Sequence, residues 1–479
     1  MPGRLPLLSP SSPVLRLEAN WSYTCLLVID GEGAGRIERG GDPQGENEHR
    51  RAVNAWILYD CANSAYFTTV VAAVFPPFYR SLVLQAGGSA ADATAYWAYT
   101  TSASLALVAV LGPILGAVAD LGGGKKGWLT LFAAVGIVSA ACMVLLQDGS
   151  YRLASLLFAG GTVGVTGSLV FYDALLPHVA RPDELHRVSA RGYAVGYLGG
   201  GILLLFNLLL ILFPEACGLQ SRERAIQVSF FSVAVWWAVF TIPLLRHVPE
   251  PRVPGKPMSL RSAVAQAWPR LRNTFRHLRR YRQLALFLLA FLVYSDGIGT
   301  IIKMATAYGD ELGINLGDLI GALLVTQFVG IPCSFAFGRL AGRIGAKPAI
   351  LCGLGVYTGV SVLAFFMQTA AHFYLLALLV GMVQGGTQAL SRSLFGSMVP
   401  RHRSAEFFGF FSTSEKLAGI VGPFLFGFLV HQQGEGRAGI LLLAIFFVVG
   451  GLLLSFVDEA EGRRLARQEE ASTGGVDGG

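Results

Sequence analysis

Apolar residues dominate this chain in long stretches separated by short polar segments. A membrane-crossing helix needs about 20 mostly apolar residues. Twelve stretches meet that length, at roughly 53–80, 95–119, 128–147, 151–176, 190–213, 226–246, 283–308, 317–340, 347–368, 372–396, 405–431 and 437–457. The pattern therefore predicts an all-α polytopic membrane protein of twelve transmembrane helices. The connecting segments fall into two sets. One comprises 120–127, 177–189, 247–282, 341–346, 397–404 and the C-terminal tail, and carries "GGGKKG", "RPDELHR", "RHLRRYR", "RIGAK", "PRHR" and "EGRRLAR". The other holds Arg152, Arg222, Arg224, Arg437 and little else that is basic. Basic loops stay on the cytoplasmic side, which places both termini there.

Segment 247–282 divides the chain into a six-helix half at 53–246 and a second at 283–457. Within it Leu260, Val264, Trp268, Leu271, Phe275 and Leu278 recur at helical spacing, with arginines on the opposite face. That pattern predicts a basic amphipathic helix lying on an inner leaflet of anionic lipid. Residues 1–52 are rich in Pro, Gly, Ser and charge, and read as a disordered tail or as sequence ahead of the true start. They lack the continuous apolar core and small-residue cleavage site of a signal peptide. Residues 458–479 read as a cytoplasmic tail.

Composition narrows the class. Only 14% of the 479 residues are charged, against about 25% in an average soluble domain. The net charge of +7 is spread over short loops rather than gathered into one patch with interleaved aromatics, which argues against nucleic-acid binding. The six cysteines have neither C-x-x-C nor metal-ligand spacing. "CLLVIDGEGAGR" has Arg36 where a dinucleotide loop needs glycine, and "GGGKKG" fails the phosphate-loop pattern at Ala119 and Lys126. No enzyme signature, metal set or cofactor is expected, so transport would draw on an ion gradient or the substrate's own gradient.

The two halves repeat one another. "GAVADLGGGKK" follows the second span and "GRLAGRIGAKP" the eighth, so Gly116, Ala119, Gly123 and Lys125 align with Gly338, Ala341, Gly345 and Lys347. Pro177 and Gly199 match Pro400 and Gly422, and Tyr59-Asp60 in the first span matches Tyr294-Ser295-Asp296 in the seventh. Ordered matches of this kind indicate a duplicated six-helix unit.

With these features the chain resembles the major facilitator superfamily over about residues 54–457. The loop signature G-x-x-x-D-x-x-G-x-(K/R)-(K/R) is met by Gly116, Asp120, Gly123, Lys125 and Lys126. "WILYDCANSAYFTTVVAAVFPPFY", "FYDALLPHVA", "DGIGTIIKMATAYG" and "GGTQALSRSLFGSMVP" resemble the branch of fungal vacuolar amino-acid effluxers and related bacterial permeases. The resemblance implies two pseudo-symmetric six-helix bundles and alternating access to a midplane site between the first, fourth, fifth, seventh, tenth and eleventh helices. It also implies a gate at the loop motif, with Asp120 pairing to a basic residue across the bundle in one conformation. "GYAVGYLGGG" places glycines much as an exporter motif does, but Tyr197 stands where that motif has proline.

Polar residues within the apolar stretches are the candidates for function, because a charge in hydrocarbon is costly unless it faces a cavity or partner. Asp60 lies roughly 10 Å into a helix starting near 53, at 1.5 Å per residue. Asn63, Ser64 and Phe67 share its face, with Tyr66 beside them. This set reads either as a substrate or proton contact, or as a structural hub joining two helices. Asp296 lies deeper, roughly 20 Å in, with Thr300 and Lys303 on its face, and is the better candidate for ion coupling. Gln384, Thr387, Gln388 and Ser391 line one face of the tenth helix. Glu415 and Lys416 are adjacent and diverge by about 100°, with Lys416 chosen to face the cavity and Glu415 a neighbouring helix.

The expected activity is secondary active transport of a small polar organic solute, amino acids first, with proton coupling, by a monomer in a plasma (inner, if bacterial) membrane. An exporter of hydrophobic drugs or lipids and a non-transporting sensor are the alternatives.

Overall fold

The computed structural model describes residues 43–252, 258–276, 281–311, 314, 316–433 and 436–474, and every regular element among them is a helix. The first half comprises α1 (Pro43–Ala65), a wide-turned segment Tyr66–Val74, α2 (Phe75–Gln85), α3 (Ala90–Gly122), α4 (Lys125–Cys142), α5 (Tyr151–Val179), α6 (Leu185–Leu212) and α7 (Arg222–His247). Then comes α8 (Leu260–Arg276). The second half comprises α9 (Arg282–Glu311), α10 (Leu316–Ile344), α11 (Ala346–Phe365), α12 (Ala370–Ser397), α13 (Ser404–Gln433) and α14 (Gly436–Ser455), followed by α15 (Glu459–Gly474). Among the described residues ten helices are long and apolar enough to cross a membrane, and Gly439–Ser455, bent 57° from the helix after it, supplies another. With α13 these make the twelve expected. The ends of the helices differ from the sequence reading by a few residues, most at the first. The first helix begins at Pro43 rather than near 53, and the tail after 458 contains a helix.

Local chemistry explains the elements. Pro76 and Pro77 deprive the first span of two amide donors, and upstream the chain widens into i→i+5 bonding, with the Phe75 N–H reaching the Val70 carbonyl. Ser89 and Asp92 cap α3 reciprocally. Gly123 and Gly124, both at positive φ, end α3 and start α4. Around the molecule Val110, Leu131, Val138, Leu156 and Leu212 point outward, as lipid-facing side chains do.

The halves meet where α3 packs on α13 and α6 on α10. At one end of the molecule α12 also closes on α6 and α5, and α13 on α5. This end carries the Asp120 loop, α8 and α15, and is called here the terminal face. The repeat is visible in its details. The Tyr59 hydroxyl donates to Ser168 Oγ at 2.8 Å in the first half, and Tyr294 pairs with Ser391 Oγ at 2.7 Å in the second. Lys126 Nζ donates to the carbonyls of Leu245 and Val248, and Lys347 Nζ to those of Ser455 and Val457. Each lysine thus caps the C-terminus of its half's last helix. Lys126, not Lys125, is therefore the counterpart of Lys347. The first loop holds one extra residue, because Gly124 and Gly345 both cap the next helix.

Helix α8 has two apolar faces. Ala263, Ala267 and Leu271 are buried against Ala117 and Val118 of α3, whereas Leu260, Val264 and Trp268 stay 61%, 55% and 69% exposed. The small residues of α8 dock on the protein and the large ones face outward. A Cβ on Gly116 would lie 2.2 Å from the Ala405 carbonyl oxygen, a backbone atom. Gly116→Val is therefore expected to lose about 1–3 kcal/mol or more by overpacking, seen as a lower thermal unfolding midpoint of the purified protein. Gly127→Val, with open space around it, should leave the midpoint unchanged.

Candidate functional site

Three charged side chains converge between the halves at the terminal face. Arg392 of α12, 3% exposed, reaches out of the second half. Its Nη2 donates to Asp60 Oδ2 of α1 and its Nη1 to Asp173 Oδ1 of α5, both at 3.2 Å. Its Nε donates to Ser189 Oγ of α6 at 2.9 Å and its Nη2 to the Ser189 carbonyl at 3.0 Å. Three aromatic rings wall the guanidinium, with centroids 4.6 Å away for Tyr193, 4.9 Å for Trp56 and 5.5 Å for Tyr172. Trp56 stacks on Tyr172 at 4.4 Å and donates its indole N–H to the Tyr172 carbonyl, so the walls are fixed. Every group holding Arg392 in this cluster belongs to the first half. Gly192 makes room for it, since a Cβ there would lie 2.4 Å from Asp60 Oδ2 and 3.1 Å from Arg392 Nη2.

Electrostatics makes this cluster decisive. Removing an ion from water costs several kcal/mol, repaid only by a partner in good geometry. Aromatic faces add cation–π attraction. Two carboxylates against one guanidinium leave a formal charge of −1, so the cluster is poised to hold a further positive charge. The side chains of Asp60 and Asp173 remain 10% and 16% exposed while that of Arg392 is 3% exposed. Water thus reaches the acids more readily than the base.

A second network seals the same face. Asp120 pairs with Lys125 at 2.9 Å and accepts the backbone N–H groups of Ala405 and Glu406 at 3.2 and 2.8 Å. The expected basic partner across the bundle is thus replaced by the N-terminus of α13, whose unsatisfied amides and dipole favour an anion. Lys125 also donates to Ser404 Oγ at 2.8 Å. Fully buried Glu406 is held by Arg403 at 2.8 Å and by Arg270 of α8 at 2.9 Å. Helix α15 straps the face. Its Glu469 accepts from Tyr281, and its Arg463 reaches His186 of α6 and Ser397 of α12. Burial holds the nearby His402 imidazole below its ordinary range, so at neutral pH it adds no charge beside Arg401 and Arg403.

The other sequence candidates scatter. Asn63 donates to the Tyr59 carbonyl, and Tyr66 to the Phe158 carbonyl beside Trp237, both inside the first half. Asp296 and Thr300 are buried against Gly422 of α13, inside the second half. Gln384 and Gln388 are half-buried on α12. Lys416 and Glu415 pair with each other at 2.7 Å, and Glu415, 47% exposed, is the outward member. The Lys416 side chain, 11% exposed, is the inward member. The Lys303 side chain lies outside the described residues. Tyr197, which replaces the exporter-motif proline, approaches Gly330 and Gly385 of the second half. Sequence reasoning passed over Arg392, Asp173, Ser189, Trp56, Tyr172 and Tyr193. The available signal was a charge inside each of two apolar stretches, "FYDALL" and "LSRSLF".

Twelve helices in two repeated halves, closed on one another at one end by buried charges, define a membrane transporter of the major facilitator type. Solved structures agree on the fold. The proton:xylose symporter XylE aligns with a TM-score of 0.67 at 15% identity, over 88% of this chain and 99% of that one. The human organic anion transporter MFSD10 aligns with a TM-score of 0.66 at 17% identity, over 86% and 100%. The chain belongs to the family described as "Vacuole effluxer Atg22 like", whose model matches residues 48–467. A Bacillus subtilis relative, the "Uncharacterized MFS-type transporter YxiO", is 41% identical over 87% of this chain and 97% of its own length. The Saccharomyces cerevisiae Autophagy-related protein 22 is 24% identical over 79% and 80%.

Removing one partner of a buried ion pair costs about 3–5 kcal/mol. Arg392→Gln and Asp173→Asn should each loosen the terminal face accordingly. Ser393, buried against His186 across the interface, provides the reporter. In a cysteine-free background carrying Ser393→Cys, either substitution should speed maleimide labelling by on the order of a hundredfold. The double variant should be little faster than Arg392→Gln alone, because both act on one interaction.

Proposed function

We propose that the protein is a secondary active transporter that moves a small polar organic solute, amino acids first, by alternating access coupled to protons. The observation that carries this reading is the Asp60–Asp173–Arg392 cluster, whose acids and base lie on opposite halves. Rocking the halves apart separates them, so their protonation and pairing change with conformation. Asp60 and Asp173 are the proposed coupling carboxylates, with Arg392, Tyr172, Tyr193 and the more distant Glu415 as the charged and titratable groups around them. A proton taken up when Arg392 withdraws would neutralise one acid. Asp296, packed within one half, is less exposed to such a change and becomes the second candidate. Substrate is proposed to contact Gln384 and Gln388, with Thr300, Lys303 and Lys416 further candidates.

Support for amino acids comes from the resemblance of the sequence motifs to vacuolar amino-acid effluxers and from the amides on α12, which suit a zwitterion better than a hydrophobic drug or lipid. By the loop charges the terminal face is cytoplasmic, with both termini there and the protein, as a monomer, in the plasma membrane. The outward face of α8 would rest on anionic lipid.

Purified protein in liposomes provides the test. An imposed pH gradient should drive accumulation of amino acids from a labelled mixture, Asp60→Asn should abolish the effect of the gradient, and Asp296→Asn should retain it. Uptake indifferent to the gradient in the unmodified protein would remove the proton from the account, and absence of amino-acid flux would remove the substrate class.

A further inference from the structure

The groups around Arg392 form a complete receptor for an organic cation, and all of them belong to the first half. Two carboxylates from α1 and α5 approach the two terminal nitrogens at 3.2 Å each. The hydroxyl and carbonyl of Ser189 on α6 take two further contacts at 2.9 and 3.0 Å. Tyr193, Trp56 and Tyr172 supply three ring faces. Facing carboxylates and stacked aromatic walls are the groups that recognise guanidinium and alkylammonium ions. The occupant comes from the other half, on α12.

A receptor on one rigid body and its ligand on another dissociate when the bodies move apart. Once Arg392 withdraws, Asp60 and Asp173 lose the counter-charge that they share. Like charges this poorly solvated are stabilised either by a proton or by a cation, which then compete. The partial exposure of both acids gives one a route in.

We propose that this cage is a binding site for a guanidinium group, and that Arg392 is its occupant only while the terminal face is closed. A cationic solute and Arg392 then compete for one site. Binding of the solute holds the terminal face open, and closure of the face expels the solute into the path between the halves. The inference deepens the transport reading, because it assigns the substrate, or one of its groups, a positive charge.

Competition fixes the test, which uses L-arginine as probe and L-citrulline, its neutral near-isostere, as control. Full-length protein in lipid nanodiscs, without any gradient, should bind L-arginine and not L-citrulline. Apparent affinity falls by the fraction of protein whose site is free. Arg392→Gln should therefore bind L-arginine about tenfold tighter or more, and adding Asp173→Asn should abolish that gain. Arg392→Lys, which keeps an occupant, should behave like the unmodified protein. A second readout leaves the cage intact. L-arginine, but not L-citrulline, should speed maleimide labelling of Ser393→Cys several-fold by holding the face open. The proposal is overturned if Arg392→Gln folds and binds L-arginine no tighter, if citrulline matches arginine, or if arginine leaves the labelling rate unchanged. Neither readout needs transport. Binding without flux would refute the transport reading alone, and flux of neutral solutes without cation binding would refute this one alone.

Discussion

A guanidinium buried between membrane helices is tolerable only where carboxylates and aromatic faces replace the water it has lost. Arg392 obtains all of its replacements from the other half of the molecule. The rest of the terminal face follows from that dependence. Ser189 turns its carbonyl and hydroxyl to the guanidinium, Gly192 leaves room for Asp60, and Trp56 is pinned to Tyr172. Because one residue's solvation is split across two bodies, their closure and its satisfaction are the same event. This is the property an alternating-access device requires: a strong interaction that exists in one arrangement and is absent in the other.

The duplicated architecture shares the load unequally. Both halves use a tyrosine–serine bond between their first and fourth spans and a lysine that caps their sixth. The loop aspartate is not duplicated, because Gly342 stands where the second half would carry it. Among the described residues, only the first half therefore places a carboxylate on the N-terminus of a helix in the other half, at Ala405 and Glu406. Arg270 of α8 and Arg403 then converge on Glu406, and α15 reaches both halves through Arg463. The terminal face is held by three layers: the Arg392 cage, the Asp120 contact and the strap of α8 and α15.

The fold was legible because its determinants are local or periodic. Span length, loop charge and the internal repeat each follow from short windows of sequence, and the structure returns twelve helices in two halves. The site was half legible. Asp60 stood out as a costly charge with polar neighbours, and the alternative of a hub joining helices describes its placement well. Its partners did not stand out, since Arg392 and Asp173 lie far from it in sequence and pair only through tertiary approach. Depth along a helix favoured Asp296, but distance from the membrane surface does not say whether a side chain faces its own bundle or the other one, and Asp296 lies beside Gly422 of its own half. What helix geometry did not show is that Lys416 and Glu415, which diverge at the backbone, meet through their flexible side chains. For α8 the hydrophobic spacing found the helix. It turned the large residues toward lipid and did not read the second, small-residue face, where Ala263 and Ala267 allow the close approach that docking on α3 needs.

The central claim is that the Arg392 cage holds the two halves together at the terminal face. Spin labels on the exposed positions Asp183, between α5 and α6, and Arg343, near the end of α10, report the separation of the halves there by pulsed electron resonance. The account predicts a single short distance in the otherwise unmodified protein and a second, longer population in Arg392→Gln. Superimposable distance distributions in the two proteins would contradict it.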